Sequence, residues 1–237
     1  MEILKFEYHR LNGIFGYRRM KVLLSQKYMI TINHKKLIRI MRENNLQAVI
    51  RRKKPVYIDK SREPLIKENI LNRDFKADKS CKKFVTDITY IPIPNMMVYL
   101  SVIIDLYDGK VKAYKISTSA KASLSLDVVK ELVQKYKLQD ALLHSDQGIH
   151  YTNYEYINLL KDNKIIQSMS RRGNCWDNAR MESFFGHFKC ECIRIRKKEL
   201  ISVEKVKELV DEYIEFYNNE RMLYNVKRNA SNCPHCL

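Results

Sequence analysis

No run in this 237-residue chain approaches 18 apolar residues, which excludes a membrane-spanning helix of ordinary length. The opening residues, Met1 to Glu7, lack the basic-then-apolar layout of a secretory signal, so the cytoplasm is the expected compartment and no membrane partner is expected. Cysteine is present without a metal-site pattern. Cys190-x-Cys192 and Cys233-x-x-Cys236 are irregular pairs, whereas a structural zinc site needs four ligands in paired spacings. All six cysteines are expected to be reduced thiols. Internal repeats and low-complexity tracts are also missing. Acidic residues are in deficit: 27 Asp and Glu stand against 44 Lys and Arg, a net charge of +17. A charge of that size informs about partners rather than fold. It is also uneven, since residues 1–55 hold 14 basic residues and 3 Glu, a net of +11. A polyanion is the economical explanation, with nucleic acid first and a merely basic, solvated surface as the alternative.

What is present falls into an order. Residues 1–12 read as a short helix punctuated by Gly13 and Gly16. Tyr17, Met20, Leu23 and Leu24 give helical spacing to a basic amphipathic segment ending at Lys27. Asn33 is placed to cap a further helix with Leu37, Ile40 and Met41 inward and Lys35, Lys36, Arg39 and Arg42 outward. Two short helices around a tight turn, the second of them basic, have the layout of a helix-turn-helix, although a plain helical hairpin has the same spacing. Arg51, Arg52, Lys53 and Lys54 form a basic run ended by Pro55, and residues 56–79 read as a linker. The period then changes to two. Phe84–Ile91 is a strand stopped by Pro92 and Pro94. Met97–Leu106 and Lys110–Ser117 are strands joined at Asp108-Gly109. Helix 120–136, strand 141–144, helix 153–163, strand 165–168, helix 178–191 and helix 203–217 follow. The order predicts an α/β fold, a mixed five-stranded sheet with helices on its faces, behind a small N-terminal all-α segment.

Three carboxylates lie on three of these elements. Asp87 shares a strand face with Val85, Thr89 and Ile91, where a charge is costly unless it is paired or binds a metal. Asp146 follows the apolar run Ala141-Leu142-Leu143, at the carboxyl end of a strand, where ligands of open α/β sheets gather. Glu182 follows with 35 residues between (182 − 146 − 1), on the side of its helix away from Phe184 and Phe188, and shares that side with Asn178 and Lys189. Mg²⁺ or Mn²⁺ takes hard oxygen ligands, and two such ions can serve both ends of an in-line phosphoryl displacement. Asp87, Asp146 and Glu182 are therefore the candidate metal-ligating and catalytic residues. Candidate phosphate contacts are Arg18, Arg19, Lys35, Lys36, Arg39, Arg51, Arg52, Lys53, Lys54, Arg171, Arg172 and Lys189. Asp105 is the competing carboxylate. Asp108 is explained by its turn, Asp177 as a cap or first-turn acid, and His144 as a polar residue at a strand end.

The motifs Thr86-Asp87-Ile88-Thr89-Tyr90-Ile91, His144-Ser145-Asp146-Gln147-Gly148 and Gly173-Asn174-Cys175-Trp176-Asp177-Asn178-Ala179 with Glu182-Ser183-Phe184-Phe185 resemble those of the second-frame transposase (OrfB) of bacterial insertion sequences, family three. Gly13-Ile14-Phe15-Gly16-Tyr17-Arg18-Arg19 and Tyr217-Asn218 with Arg221 extend the resemblance over nearly the whole chain. It implies an RNase H-like catalytic core similar to retroviral integrases, with Asp87, Asp146 and Glu182 as a DDE triad holding two Mg²⁺ or Mn²⁺ ions. It implies hydrolytic cleavage at element ends and strand transfer by the freed 3′-hydroxyl, without a covalent enzyme intermediate. The expected division is 1–55 helix-turn-helix-like, 56–79 linker, 80–197 catalytic core and 198–237 helical extension. The expected partners are element-end and target DNA, further copies of the chain, and an upstream-frame (OrfA) product or fusion. Two departures accompany the match: Phe84 stands where the family often has Trp, and the end Ser231–Leu237 lacks the usual Ser-Pro and Tyr. A non-joining nuclease of the same fold and a catalytically silent end-binding repressor are the competing readings.

Overall fold

The computed structural model describes residues 2–48, 65–119 and 123–221. Arg51 to Lys54, residues 56–64 of the expected linker, and the last sixteen residues, which include Cys233 and Cys236, lie outside the described residues.

Three helices come first: α1 (Glu2–Arg10), α2 (Tyr17–Tyr28) and α3 (His34–Glu43). Asn33 caps α3 as its position predicts, its side chain accepting the Lys35 amide at 2.9 Å. The apolar spacing folds inward, so that Leu4, Leu11, Phe15, Met20, Leu23, Leu24, Leu37 and Met41 share one small core. At its centre Glu7 is fully buried, which is tolerable because Arg10, Lys27 and Tyr28 all donate to it. These three donors hold the Glu7 carboxyl at a pKa of about 2, although burial, the largest single influence, pushes it upward.

The sheet has the order β3-β2-β1-β4-β5. β1 (Lys83–Ile93), β2 (Met96–Asp105) and β3 (Val111–Ser117) form an antiparallel meander. β4 (Ala141–Ser145) and β5 (Ile165–Met169) run parallel to β1. α4 (Ser123–Lys135) and α5 (Tyr154–Asp162) cover one face, packing on Phe84, Ile103, Ala113, Leu143 and Ile165. α6 (Ala179–Phe188) and α7 (Val203–Asn219) cover the other, on Val85, Ile91, Val98, Leu100, Val102 and Leu142. The period-two alternation of β1 is what divides its residues between these two cores.

Two expectations about local structure are corrected. Pro92 does not stop β1, which continues to Ile93 with Pro92 opposite Met97. β1 pairs with β4 only over Lys83–Val85, so beyond that point one edge of β1 has no neighbouring strand among the described residues and a missing amide there is tolerated. The segment 65–80 is not a free connector. The Ile70 and Leu71 amides donate to Ser168 Oγ at 2.9 and 3.1 Å, Glu68 accepts the Met169 amide, and Leu71 is buried in the core.

The N-terminal helices dock on α7 and on the π-helical segment Lys189–Ile193 that continues α6. Phe15 meets Phe216 with ring centroids 6.4 Å apart, and Arg10 bonds Glu220 at 2.9 Å. Arg19 bonds Glu191 at 3.2 Å.

Candidate active site

The strand register brings the first two acids together. The last aligned pair of β1 and β4 is Val85 with His144, and Asp87 and Asp146 each lie two residues further along. Because side chains alternate, Asp87 and Asp146 leave the sheet on the face of Val85 and Leu142, the face that α6 covers. β4 contributes its acid where the strand ends, and the backbone turns at once, with Asp146 Oδ1 accepting the Gly148 amide at 2.8 Å. Gly148 fits this turn because a Cβ there would stand 2.9 Å from that same oxygen.

The third acid comes from the helix. α6 is fixed by an aromatic ladder: Phe184 stacks on Phe188, meets Tyr217 edge-on at 4.8 Å, and Phe188 meets Tyr213 at 5.2 Å. With Met181, Phe184, Phe185 and Phe188 buried, Glu182 lies on the exposed side in the first turn. Its charge is felt at Asp87.

The electrostatics are those of an acid cluster short of counter-charge. Burial raises the proton affinity of Asp87 well above the usual carboxylate range, and the charges of Asp146 and Glu182 raise it further. The Ile88 amide, bonded to Asp87 Oδ1 at 2.7 Å, and the Lys189 ammonium oppose that rise. Asp146 is also raised, by burial, against the Gly148 amide and the nearby His150. Lys189 Nζ lies 4.7 Å from the centroid of the Tyr90 ring. Asp87 and Asp146 form no ion pair among the described residues. No group of three His, Cys, Asp or Glu among those residues stands at metal-ligating distance either, so Asp87 and Asp146 are aligned and Glu182 acts on Asp87 as a nearby charge.

The rival acids have other partners. Asp105 is fully buried and accepts Ser80 Oγ at 2.7 Å and the Cys81 and Tyr107 amides at 3.0 Å. Asp108 holds its turn, accepting the Lys110 amide at 2.9 Å and pairing with Lys112. His144 is buried between Ser168 Oγ at 2.8 Å and Ser170 Oγ at 3.0 Å, and burial lowers its pKa to about 4, so it remains a neutral strand residue. Asp177 is not a cap but a first-turn acid, of the 3-10 turn Cys175–Asn178 ahead of α6; Arg171, Arg73 and Asn69 also donate to it, tying the 65–80 segment to that turn.

Among the candidate phosphate contacts, Lys35, Lys36 and Arg39 are exposed on α3. Arg18 lies over Tyr17. Arg172 is exposed in its loop, while Arg171 holds Asp177 and Arg19 holds Glu191. Sequence reading passed over His150 and Glu191. His150, four residues after Asp146, is a positive influence on that acid. Glu191 was one more helical acid in the sequence, and nothing in its spacing signals partners 172 and 30 residues away.

Residues 77–175 and 182–235 match the family profile of the integrase core domain, and residues 2–54 match that of an HTH-like domain. The chain is 37% identical to "Putative transposase InsK for insertion sequence element IS150" of Escherichia coli, over 93% of this chain and 77% of that protein. It is 33% identical to "Transposase for insertion sequence element IS904" of Lactococcus lactis, over 93% of this chain and 87% of that one. In fold it is similar to a chain of the simian T-cell lymphotropic virus intasome, with a TM-score of 0.54 at 13% identity, covering 82% of this chain and 64% of that chain. An integrase-type sheet, three N-terminal helices of HTH-like type and transposase relatives along nearly its whole length agree: the chain belongs to the insertion-sequence family three transposases, of the second-frame (OrfB) type.

Proposed function

We propose that Asp87, Asp146 and Glu182 are the catalytic acids of a DNA cleavage and strand-transfer reaction at insertion-sequence ends. The observation that carries this reading is the aligned Asp87–Asp146 pair, two half-buried carboxylates whose proton affinities are raised by burial, with the Asp146 charge raising Asp87 further and only the nearby Lys189 and His150 opposing, without an ion pair among the described residues. Natural cores seldom keep such a pair unless function requires it.

The donor set fits a divalent cation, because it consists of hard carboxylate oxygens on one face, with Glu182 approaching from α6. Two Mg²⁺ or Mn²⁺ ions, when bound, supply activation of the attacking hydroxyl and charge neutralisation at the departing 3′-oxygen. Asp87, on the more central strand, would hold such ions together with Asp146 and Glu182. The two strand acids are held by backbone that α6 and α7 bury, so their spacing is set before DNA arrives. Lys189 lies on the Glu182 side of the cluster, where it can hold a phosphate beside the acids. Lys35, Lys36 and Arg39 on α3 supply salt-sensitive contacts to duplex backbone. Two element ends must meet for joining, so the working form is at least a dimer on DNA, together with the upstream-frame product.

The test is a labelled duplex carrying the DNA that flanks this coding sequence, incubated with the chain and Mg²⁺ and resolved on a gel. Cleaved and joined products from the wild type, absent from Asp87→Ala, Asp146→Ala and Glu182→Ala, support the reading. Cleavage without joining makes the protein a nuclease. Binding that survives all three substitutions, without any product from the wild type, makes it a repressor.

A further inference from the structure

Two motifs are left without a role by the acid cluster: Gly13 to Arg19 near the start, and Tyr217, Asn218 and Arg221 at the end of α7. The fold brings both to one carboxylate, Glu191. Arg221 holds it with two bonds, Nε to Oε2 at 2.8 Å and an Nη to Oε1 at 2.9 Å. Tyr213 Oη donates to Oε2 at 3.0 Å, and Arg19 from α2 donates to Oε1 at 3.2 Å. His187 Nδ1, one turn earlier on the same helical rod, lies 3.4 Å from Oε1. Glu191 is 8% exposed and Arg221 2%, so this is an interior ionic node. Asn218, from the same motif, clips α7 to β3 through the Val111 amide at 2.8 Å and the Val111 carbonyl at 2.9 Å.

The place of Glu191 in the chain gives the node its meaning. α6 runs without a break into the π-helical segment, so Glu191 lies nine residues (191 − 182) beyond Glu182 on one rod, a rise of about 13 Å. The aromatic ladder sets how deeply this rod sits on α7, but stacked rings tolerate small slides and rotations. A bidentate guanidinium–carboxylate pair is far more exacting in direction. The N-terminal helices reach the rod through Arg19, backed by the Phe15–Phe216 contact and the Arg10–Glu220 bond. An interior charge node of this kind is a poor source of stability compared with an apolar replacement, but it fixes register well.

We propose that Glu191 is a positioning residue that locks the rod carrying Glu182 to the N-terminal helices, so that DNA held by those helices sets the approach of Glu182 to Asp87 and Asp146. The proposal rests on the reading of those three acids given above. Arg19 in this role does not contact phosphate; it transmits.

Arg19→Ala is the informative variant, because it removes the N-terminal strut and leaves the interior Arg221–Glu191–Tyr213 bonds in place. Glu191→Gln strands the buried Arg221 charge and is expected to impair folding. On the flanking-DNA duplex, Arg19→Ala is expected to lower kcat about tenfold with KM and the salt dependence of binding unchanged. A rise in KM with a shallower salt dependence would make Arg19 a phosphate contact and overturn the proposal. A second readout does not need activity. Hydrogen exchange of the full-length chain, with and without a plain DNA duplex, should show the amides of 186–193 gaining protection in the wild type and not in Arg19→Ala, both being saturated with duplex. Equal protection in both proteins, or none in either, overturns the coupling. If the wild type neither cuts nor joins DNA yet the exchange difference is present, the coupling stands and the catalytic reading falls.

Discussion

Replacing Asp87 by Asn should make the protein more stable and inactive at once. Asp87 and Asp146 leave adjacent parallel strands at the same offset from an aligned pair, on the same face. Strands lie about 4.8 Å apart, so the two carboxylate charges are about 6 Å apart, and at an effective dielectric of about 20 they repel by about 3 kcal/mol. The raised proton affinity of Asp87 relieves part of this at neutral pH, and the Ile88 amide offsets more, so the net gain from an isosteric neutral side chain is about 1–2 kcal/mol. For a chain of this size that corresponds to a rise in Tm of about 3–6 °C. The assay is thermal unfolding in EDTA and then in Mg²⁺. Wild type should gain stability from Mg²⁺, because the ion binds only the folded acid cluster. Asp87→Asn should start higher and respond little. A lower Tm for Asp87→Asn in EDTA, or an undiminished Mg²⁺ response, refutes the reasoning.

Asp177→Asn leaves three donors facing a weaker acceptor, and because Arg73 and Arg171 are about half exposed and can turn to water, the expected cost is about 1–3 kcal/mol in urea unfolding. The same loss should loosen the 65–80 segment, read as faster proteolysis there. Glu7 has a folded pKa of about 2 against an ordinary 4.5, so its contribution is complete above pH 4.5 and disappears as pH falls toward 2. Its cationic partners are part-exposed, which limits the effect to about 1 kcal/mol, and Glu7→Gln should flatten the Tm profile between those limits. Replacing Lys35, Lys36 and Arg39 together by Ala should weaken binding to any duplex and lower the salt slope by about 2–3 in fluorescence anisotropy titrations, without changing the fold. An unchanged slope would move the DNA interface off α3.

The sequence was most informative where a local rule acts alone. Asn33 caps α3, Asp108 holds its turn, and the period-two run of β1 sends Val85 and Phe84 to opposite cores, all from residue type and spacing. It failed where a distant partner outweighs the local rule. Pro92 should end a central strand, but β4 ends first and leaves Pro92 on an open edge. Asp177 is spaced like a cap, yet Arg73 from 104 residues away claims it. Arg19 belongs to a basic helix that by composition faces nucleic acid, and a single interior carboxylate turns it inward. The acids themselves were legible as a set only because several motifs occur in order. Their alignment needed the β1–β4 register, which spacing does not contain.

β1 outruns β4, and this gives the sheet a step. The acids project where the platform drops from five strands to three. Under the DNA role proposed above, such a ledge would give a stiff, wide ligand access to the acids without prying strands apart. The placement of Asp87 against Asp146 then resides in the hydrogen-bonded register of β1 and β4.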